Sequence, residues 1–541
     1  LQTLTTLVQD HPGTMHAEEA HFRRGEMLFA MRQYAPAEAA YAIVLRQPTR
    51  TSFHERALYM QGWSLFKLGR IEDALRPFFG VLDAKLGRLD TADRDQPDLA
   101  AVQALSRADR ELVEDSFRVL SLSLASLQGA ESVPALIDSP LRESYQYRVY
   151  LQLADLYGKQ ERIKDAADTL AAFVRRQPLH AQAPLLQARV VEIYTSNGFA
   201  TLALAAKKDH VQRYGADSEF RRANPAGWQT AQPLVQAHLA ELAQHHHALA
   251  QKSRTAADVD EAVQWYRQLL AAMPAGPAAA QQRFLLAELL FENQRHADAA
   301  VEYEAVAYRA PGAARGADAG YSALLAYAAL EKAAADRTPL QRQAAESALR
   351  FAAAFGDDPR TGTVLANAAQ QLDTLGEGPR ALSVARQALA LQPPAPAEAR
   401  RVAWVVIAHQ AFDGKTQAQA EQAEQAYGEV LALTPEGAAG REAFVQRQAA
   451  AIYRQGELAR DQNRTRDAAG HFARVANLPP LAATATLRAS ALYDRAATLI
   501  ALKDWSAAAL ALEDFRRLHA GHSLQAEVPA KLALVYLELG R

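Results

Sequence analysis

Three side chains on one predicted helix have types and a spacing that suit a metal ion. His238, Glu241 and His245 lie three and four residues apart, and residues at these separations share one face of an α-helix. Imidazole nitrogens and carboxylate oxygens are common zinc ligands. A polar helix surface explains the same three residues without a metal, and the adjacent His246 and His247 point to other faces. We therefore expect a solvated surface here, with no bound metal or other cofactor.

The sequence lacks the motifs that mark common catalytic sites. It has no glycine-rich phosphate loop, no nucleophile elbow and no metalloprotease helix. It also has no cysteine, which excludes disulfides, thiolate metal sites and cysteine nucleophiles. We predict that the chain is not an enzyme.

Composition excludes two further classes of function. The 541 residues include 59 lysines and arginines against 61 acidic residues, a net charge of −2, so there is no basic excess to bind a nucleic-acid backbone. No apolar run approaches the ~18 residues that cross a bilayer, so we expect no membrane insertion. The length exceeds one ordinary core, which predicts several domains or one modular array.

One residue spacing recurs along the chain and indicates such an array. A small residue is followed by alanine twelve positions later, by large apolar residues four and seven beyond the alanine, and often by proline. The first copy is Gly25, Ala37, Tyr41 and Val44. The copies begin at Gly25, Gly62, Ala154, Val191, Ala250, Ala287, Ala369, Ala411, Gly456 and Ala496, and the prolines are Pro178, Pro274, Pro311, Pro393, Pro435 and Pro480.

This spacing predicts a helical hairpin. Small residues on both helices let the two backbones approach, and the apolar residues beyond the alanine share one helix face, where they fill the gap to the next pair. Proline ends the second helix because it has no N–H to donate. Gly69 and Gly198 lie where the first helix should stop.

The pattern resembles the tetratricopeptide repeat over nearly the whole chain. The resemblance implies an all-α fold, a right-handed α-solenoid superhelix of about twelve helix-turn-helix repeats, whose first helices line a concave groove for protein or peptide partners. Packing between neighbouring first helices would explain the same side chains. The family's groove positions fall on Glu19, Phe22, Glu26, Phe29, Arg56, Tyr59, Trp63, Phe66, Phe284 and Phe291.

Three stretches depart from the repeat. Residues 98–138 and 313–359 lack the full pattern, but each has the length of one helix pair, so we expect both to continue the stack. Residues 215–233, with Asn224-Pro225, Gly227 and Pro233, predict an ordered elbow between an N-terminal sub-solenoid, 1–214, and a C-terminal one, 234–541. Both ends fall inside a repeat, which suggests a fragment of a longer array.

The resemblance implies a scaffold that recruits protein or peptide partners. Residues 57–67 and 299–304 look like long periplasmic repeat proteins of bacterial cell envelopes, so we expect a periplasmic or outer-membrane-associated protein, with the cytoplasm as the alternative. A second hypothesis is a substrate-recruiting arm of a larger enzyme or regulator whose other domain lies outside this sequence. A third is a purely structural spacer.

Overall fold

The computed structural model describes residues 1–47, 51–87, 105–310 and 312–540. Within these ranges the chain forms helices joined by short turns and no β-strand, which confirms the all-α prediction. The chain divides into two compact units, Leu1–Pro274 and Ala275–Arg541. In each unit, helices that are neighbours in sequence pack against one another.

The helices of the first unit are α1 (Gln2–Asp10), α2 (Ala17–Ala30), α3 (Tyr34–Leu45), α4 (His54–Lys67), α5 (Ile71–Leu86), α6 (Arg107–Ala125), α7 (Pro140–Lys159), α8 (Ile163–Arg176), α9 (Ala183–Ser196), α10 (Ala200–Tyr214), α11 (Glu219–Ala223), α12 (Pro225–Ser253) and α13 (Ala256–Ala272). Short 3-10 turns at Gly129–Ser132 and Pro134–Leu136 lie between α6 and α7.

The helices of the second unit are α14 (Pro277–Glu292), α15 (His296–Arg309), α16 (Gly316–Ala333), α17 (Thr338–Ala354), α18 (Thr361–Thr374), α19 (Gly378–Ala390), α20 (Ala397–Phe412), α21 (Gln417–Ala432), α22 (Arg441–Asp461), α23 (Thr465–Ala476), α24 (Ala485–Ala501), α25 (Trp505–Leu518) and α26 (Val528–Glu538). Further 3-10 turns lie at Ala482–Thr484 and Ser523–Ala526.

Each copy of the repeat folds as the predicted hairpin, and its alanine lies in the core. The alanines, each at most 4% exposed, are Ala37, Ala74, Ala166, Ala203, Ala262, Ala299, Ala381, Ala423, Ala468 and Ala508. Where the small residue is glycine, the ring sixteen positions later packs directly on it. A Cβ at Gly25 would lie 2.6 Å from Tyr41, so the glycine sets the distance between the two helices.

The turn between the two helices requires a residue in the left-handed region. Gly69 and Gly198 occupy it with φ of 75° and 78°, which confirms the predicted helix stops. Elsewhere the same place is taken by a non-glycine residue at φ near 60°, as at Glu161 and Asn463. The described prolines of the repeat follow the second helices, as Pro178 follows α8. Pro311 lies outside the described residues.

Of the two stretches that lack the full repeat pattern, one forms the expected helix pair and the described part of the other forms one α-helix. Residues 313–359 form the expected pair, α16 and α17, with Phe351 buried. Of residues 98–138, those from 105 onward form α6 and two 3-10 turns, and 98–104 lie outside the described residues.

The elbow prediction is only partly matched by the local structure. After α10 the chain leaves the helix at Gly215 and forms the short α11, but residues 225–233 belong to the long helix α12. Asn224 caps α12 through its side-chain oxygen, which accepts from the Gly227 N–H at 2.9 Å, and Pro225 takes the first helical position, where proline is favoured. The contacts divide the chain after Pro274, so domains at 1–214 and 234–541 stay a prediction.

Candidate functional site

The first helices α2, α4 and α6 bring several predicted groove residues into contact. Arg56 of α4 reaches back to α2, where its guanidinium lies 3.7 Å from Glu26 and 5.4 Å from the centre of the Phe22 ring. In the other direction, the Tyr59 hydroxyl of α4 donates to Asp115 of α6 at 2.6 Å. The predicted positions on α2 and α4 are therefore neighbours in space.

Phe22 and Phe284 are buried between their own hairpins and residues that follow them in the chain, unlike the prediction that placed them on a groove. Both are at most 1% exposed. The Phe22 ring packs 5.8 Å from Tyr41 and 5.4 Å from Phe53, and the Phe284 ring packs 5.6 Å from Tyr303. Neither ring can contact a partner while the hairpins stay closed, so these two side chains contribute to packing.

Tyr59, Trp63 and Phe66 form a continuous, partly exposed surface, which we call the aromatic patch. The Trp63 ring centre lies 6.5 Å from that of Tyr59 and 5.6 Å from that of Phe66, both in edge-to-face contact. Phe78 of α5 is fully buried and packs against the core side of Trp63, with 6.2 Å between the two ring centres. The patch is thus held rigidly by the core and remains partly open to solvent.

Two cations flank the Trp63 ring. Lys67 Nζ lies 5.7 Å and the Arg118 guanidinium 5.8 Å from the ring centre, within the range of cation–π attraction. Arg118 also donates to Asp115 at 2.8 Å. Burial, reinforced by the hydrogen bond to Asp115, raises the pKa of Tyr59 to about 12, so its hydroxyl stays a donor at neutral pH.

The other predicted groove residues are engaged within or beside their own hairpins. Glu19 and Glu26 pair with Arg23 at 3.6 and 2.9 Å. Phe29 packs edge-on against Tyr34 at 5.2 Å.

Phe291, the remaining predicted position, is likewise packed. Its ring lies 6.4 Å from Tyr303 and 4.9 Å from His296. Of the predicted set, the structure gathers Tyr59, Trp63 and Phe66 into one partly exposed surface.

The three candidate metal ligands do not converge. His238 is buried and turns to His210 of α10, Glu241 pairs with Lys207 at 2.5 Å, and His245 is exposed. In the part of the chain that the structure describes, no group of three or more histidine or acidic side chains could hold a metal ion.

Sequence reasoning missed two residues of this surface. Lys67 lies four positions after Trp63 on the same helix, so the helical period alone could have placed it beside the ring. Arg118 lies on α6, within the stretch that departs from the repeat. Because this stretch lacks the repeat pattern, the sequence could not predict which face of α6 carries Arg118.

None of the described helices is long and apolar enough to span a membrane.

Comparison with solved structures finds helical repeat proteins. A tetratricopeptide repeat protein from Parabacteroides merdae aligns with 56% of this chain and 98% of its own, at 13% identity and a TM-score of 0.20. The Cut9–Hcn1 hetero-tetramer of the APC/C aligns with 99% of this chain and 93% of its own, at 13% identity and a TM-score of 0.19. The P58(IPK) TPR domain aligns with 73% of this chain and 98% of its own, also at 13% identity and a TM-score of 0.19.

Searches with family models and among curated proteins find no match. Because the TM-scores are low, the assignment of this fold rests on the hairpins themselves. Each repeat pairs two helices, buries the alanine twelve positions after the small residue, and, where that residue is glycine, packs a ring on it. This chain is an all-α protein of consecutive helical hairpins, whose residue spacing resembles that of the tetratricopeptide repeat.

Proposed function

We propose that this protein is a scaffold that binds other proteins through the aromatic patch and the cations beside it. The observation that carries the proposal is the arrangement of Trp63. Its ring is fixed by Tyr59, Phe66 and Phe78, stays partly exposed, and has Lys67 at one edge. Tryptophan, tyrosine and arginine are the residues that most often dominate binding energy at protein interfaces.

The surface favours a partner segment that pairs an apolar side chain with a carboxylate. An apolar side chain gains free energy by covering the exposed part of the Trp63 ring. A carboxylate beside it would meet Lys67 and Arg118, and such pairs strengthen when the interface excludes water. Rigid support also matters, because a preorganised ring loses little conformational entropy when a partner binds.

The test compares partner capture by variants of the full chain. Trp63→Ala should reduce capture of a specific partner at least tenfold, because loss of a central tryptophan costs about 2 kcal/mol or more. Lys67→Glu should reduce it too, with a stronger effect at low salt. Quantitative affinity purification from the native organism measures both.

Phe199→Ala is the matched control. Phe199 is an aromatic residue of the same unit, 45% exposed, on the turn before α10. Its loss should leave capture unchanged. Equal capture by wild type, Trp63→Ala and Lys67→Glu would support a structural spacer and contradict the proposal.

We also propose that the scaffold works in a bacterial cell envelope. The support is the likeness of residues 57–67 and 299–304 to periplasmic repeat proteins. Fractionation of cells that express the tagged full-length gene tests this placement. Recovery in the periplasmic or outer-membrane fraction is expected, and recovery in the cytosol alone would reject it.

A further inference from the structure

Two buried histidines meet where α10 packs on α12. His210 is fully buried and His238 is 8% exposed, and their Nδ1 atoms lie 3.0 Å apart. The rings meet edge to face at 4.7 Å between centres. His210 Nε2 lies 3.1 Å from the Pro184 carbonyl of α9. The pair therefore links α9, α10 and α12.

Two neutral rings satisfy these contacts in only one arrangement of protons. The Pro184 carbonyl can only accept, so His210 Nε2 donates to it, and the neutral ring then presents Nδ1 as an acceptor. His238 Nδ1 must donate to that nitrogen. One added proton can still lie between the two Nδ1 atoms, because the ring that stays neutral can present its Nδ1 lone pair as the acceptor. Once both rings are protonated, two N–H groups face each other across 3.0 Å, and the contact cannot close.

The charged groups around the pair are already neutralised by each other. Lys207 of α10 pairs with Glu241 of α12 at 2.5 Å, and Arg213 pairs with Asp209 at 2.7 Å. From α9, Gln187 donates to Asp209 at 2.9 Å. No anion among these is left over to stabilise a protonated His210.

The other neighbours of the pair are uncharged where they meet it. Tyr214 of α10 packs against His210 at 5.6 Å, and α11 contacts that tyrosine through Phe220 at 5.1 Å. Helix α13 is hydrogen-bonded to α12 through its Ala272 carbonyl, which accepts from the side-chain amides of Gln232 and Gln236. A proton that entered the closed contact would thus meet a neutral, largely apolar surrounding.

A cleft lies directly beyond the Lys207–Glu241 pair. Its volume is about 410 Å³, and its walls include Ala200, Leu204 and His245 from α10 and α12. The two helices touch at His210 and His238 and leave this space toward the start of α10. The histidine contact therefore holds the closed end of the cleft.

We propose that the His210–His238 contact is an acid-labile joint, which releases α10 from α12 when both rings are protonated and so widens the cleft between these helices. The joint makes the shape of this part of the first unit depend on pH. The rest of the hairpins keep their contacts.

Acid should favour the open form of the joint, because both histidines bind protons more readily there than in the closed form. Burial, followed by the neighbouring His238, lowers the pKa of His210 to about 3, and burial lowers the pKa of His238. Opening returns both toward 6.5. The closed form therefore has its full stability above about pH 6.5 and loses stability as the pH falls below that value. Each pH unit favours opening up to about tenfold per histidine.

Hydrogen exchange of the full chain at pH 7.5 and 5.5 tests the joint. Protection factors, corrected for the intrinsic pH dependence of exchange, report rare opening directly. Peptides within α10 and the middle of α12 should lose more than about 10-fold, and up to about 100-fold, of their protection at pH 5.5. The hairpin α16–α17 of the second unit, whose helices contain no histidine, should keep its protection.

Two variants separate the joint from general acid sensitivity. His238→Asn keeps a donor for His210 but cannot titrate, so the loss of protection should shrink to at most about 10-fold. His210→Phe combined with His238→Leu should abolish it. His245→Gln, a change at an exposed histidine on the same helix, should respond like wild type. Unchanged wild-type protection at pH 5.5, or a wild-type response of His238→Asn, would overturn the proposal.

Discussion

A single glycine sets how closely the two helices of a repeat approach. In α22, a Cβ on Gly456 would lie 2.7 Å from the ring of Phe472, which is fully buried in the facing helix α23. Gly62 has the same relation to Phe78 at 2.8 Å. The ring has no room to move aside, so the contact depends on the missing side chain.

Gly456→Ala should therefore destabilise its hairpin although alanine is the better helix former. Overpacking of a buried site costs about 1–3 kcal/mol, which exceeds the gain in helix propensity of up to about 1 kcal/mol. Gly470 lies in the same hairpin, on the exposed face of α23, with open space around it. Gly470→Ala should stabilise the hairpin. Hydrogen exchange of α23 measures both, and destabilisation by both substitutions would contradict this account.

Sequence spacing predicted these contacts because they lie within one hairpin. It correctly placed Gly25, Ala37 and the helix stops. It left open whether Phe22 lies on the groove or is packed, because burial of that ring also depends on Phe53, which precedes α4 and lies outside the α2–α3 hairpin. It also could not pair His210 with His238, because the irregular α11 lies between them and removes the repeat register.

Among the helices, α4, α5 and α6 are joined by one buried cation. Lys85 of α5, whose side chain is 11% exposed, pairs with both Glu55 of α4 and Asp109 of α6. The two carboxylates are close only because the ammonium lies between them. This cluster fixes α6, and through it Asp115 and Arg118, beside the aromatic patch.

Lys85→Met should loosen α6 strongly. Removal of one partner from a buried ion cluster costs about 3 kcal/mol, because the remaining charges lose their compensation. Lys164→Met, at an exposed lysine of α8, should change stability by less than about 0.5 kcal/mol. The thermal midpoint and exchange of α6 are the readouts. If Lys85→Met changed neither the thermal midpoint nor the exchange of α6, the cluster would not be what holds these helices together.

Helix α12 includes residues 225–233, which were predicted to lie in an elbow. Asn224, Pro225 and Gly227 read as breakers, but an asparagine followed by proline also starts a helix, through a side-chain cap and a preset φ. Pro233 lies inside α12, at the expected cost of one backbone hydrogen bond. Burial of Trp228, whose indole N–H donates to the Tyr214 carbonyl at 3.1 Å, stabilises this part of the helix.

At the scale of the whole molecule, each compact unit should fold by itself. The units Leu1–Pro274 and Ala275–Arg541 each have their own core of stacked hairpins, and such repeats are stabilised mainly by nearest neighbours. Produced separately, residues 1–274 and 275–541 should together account for the helical circular dichroism of the full chain. An unfolded fragment of either half would contradict the division.

Cross-linking from position 67 in living cells tests the proposed function most directly. A photo-reactive lysine analogue that keeps the ammonium group at position 67, beside the Trp63 ring, would sample whatever covers the aromatic patch of the full chain. The account predicts a cross-link to a specific partner protein that Trp63→Ala removes and that the same probe at Phe199 does not form. The same products from both positions, or none from position 67, would contradict it.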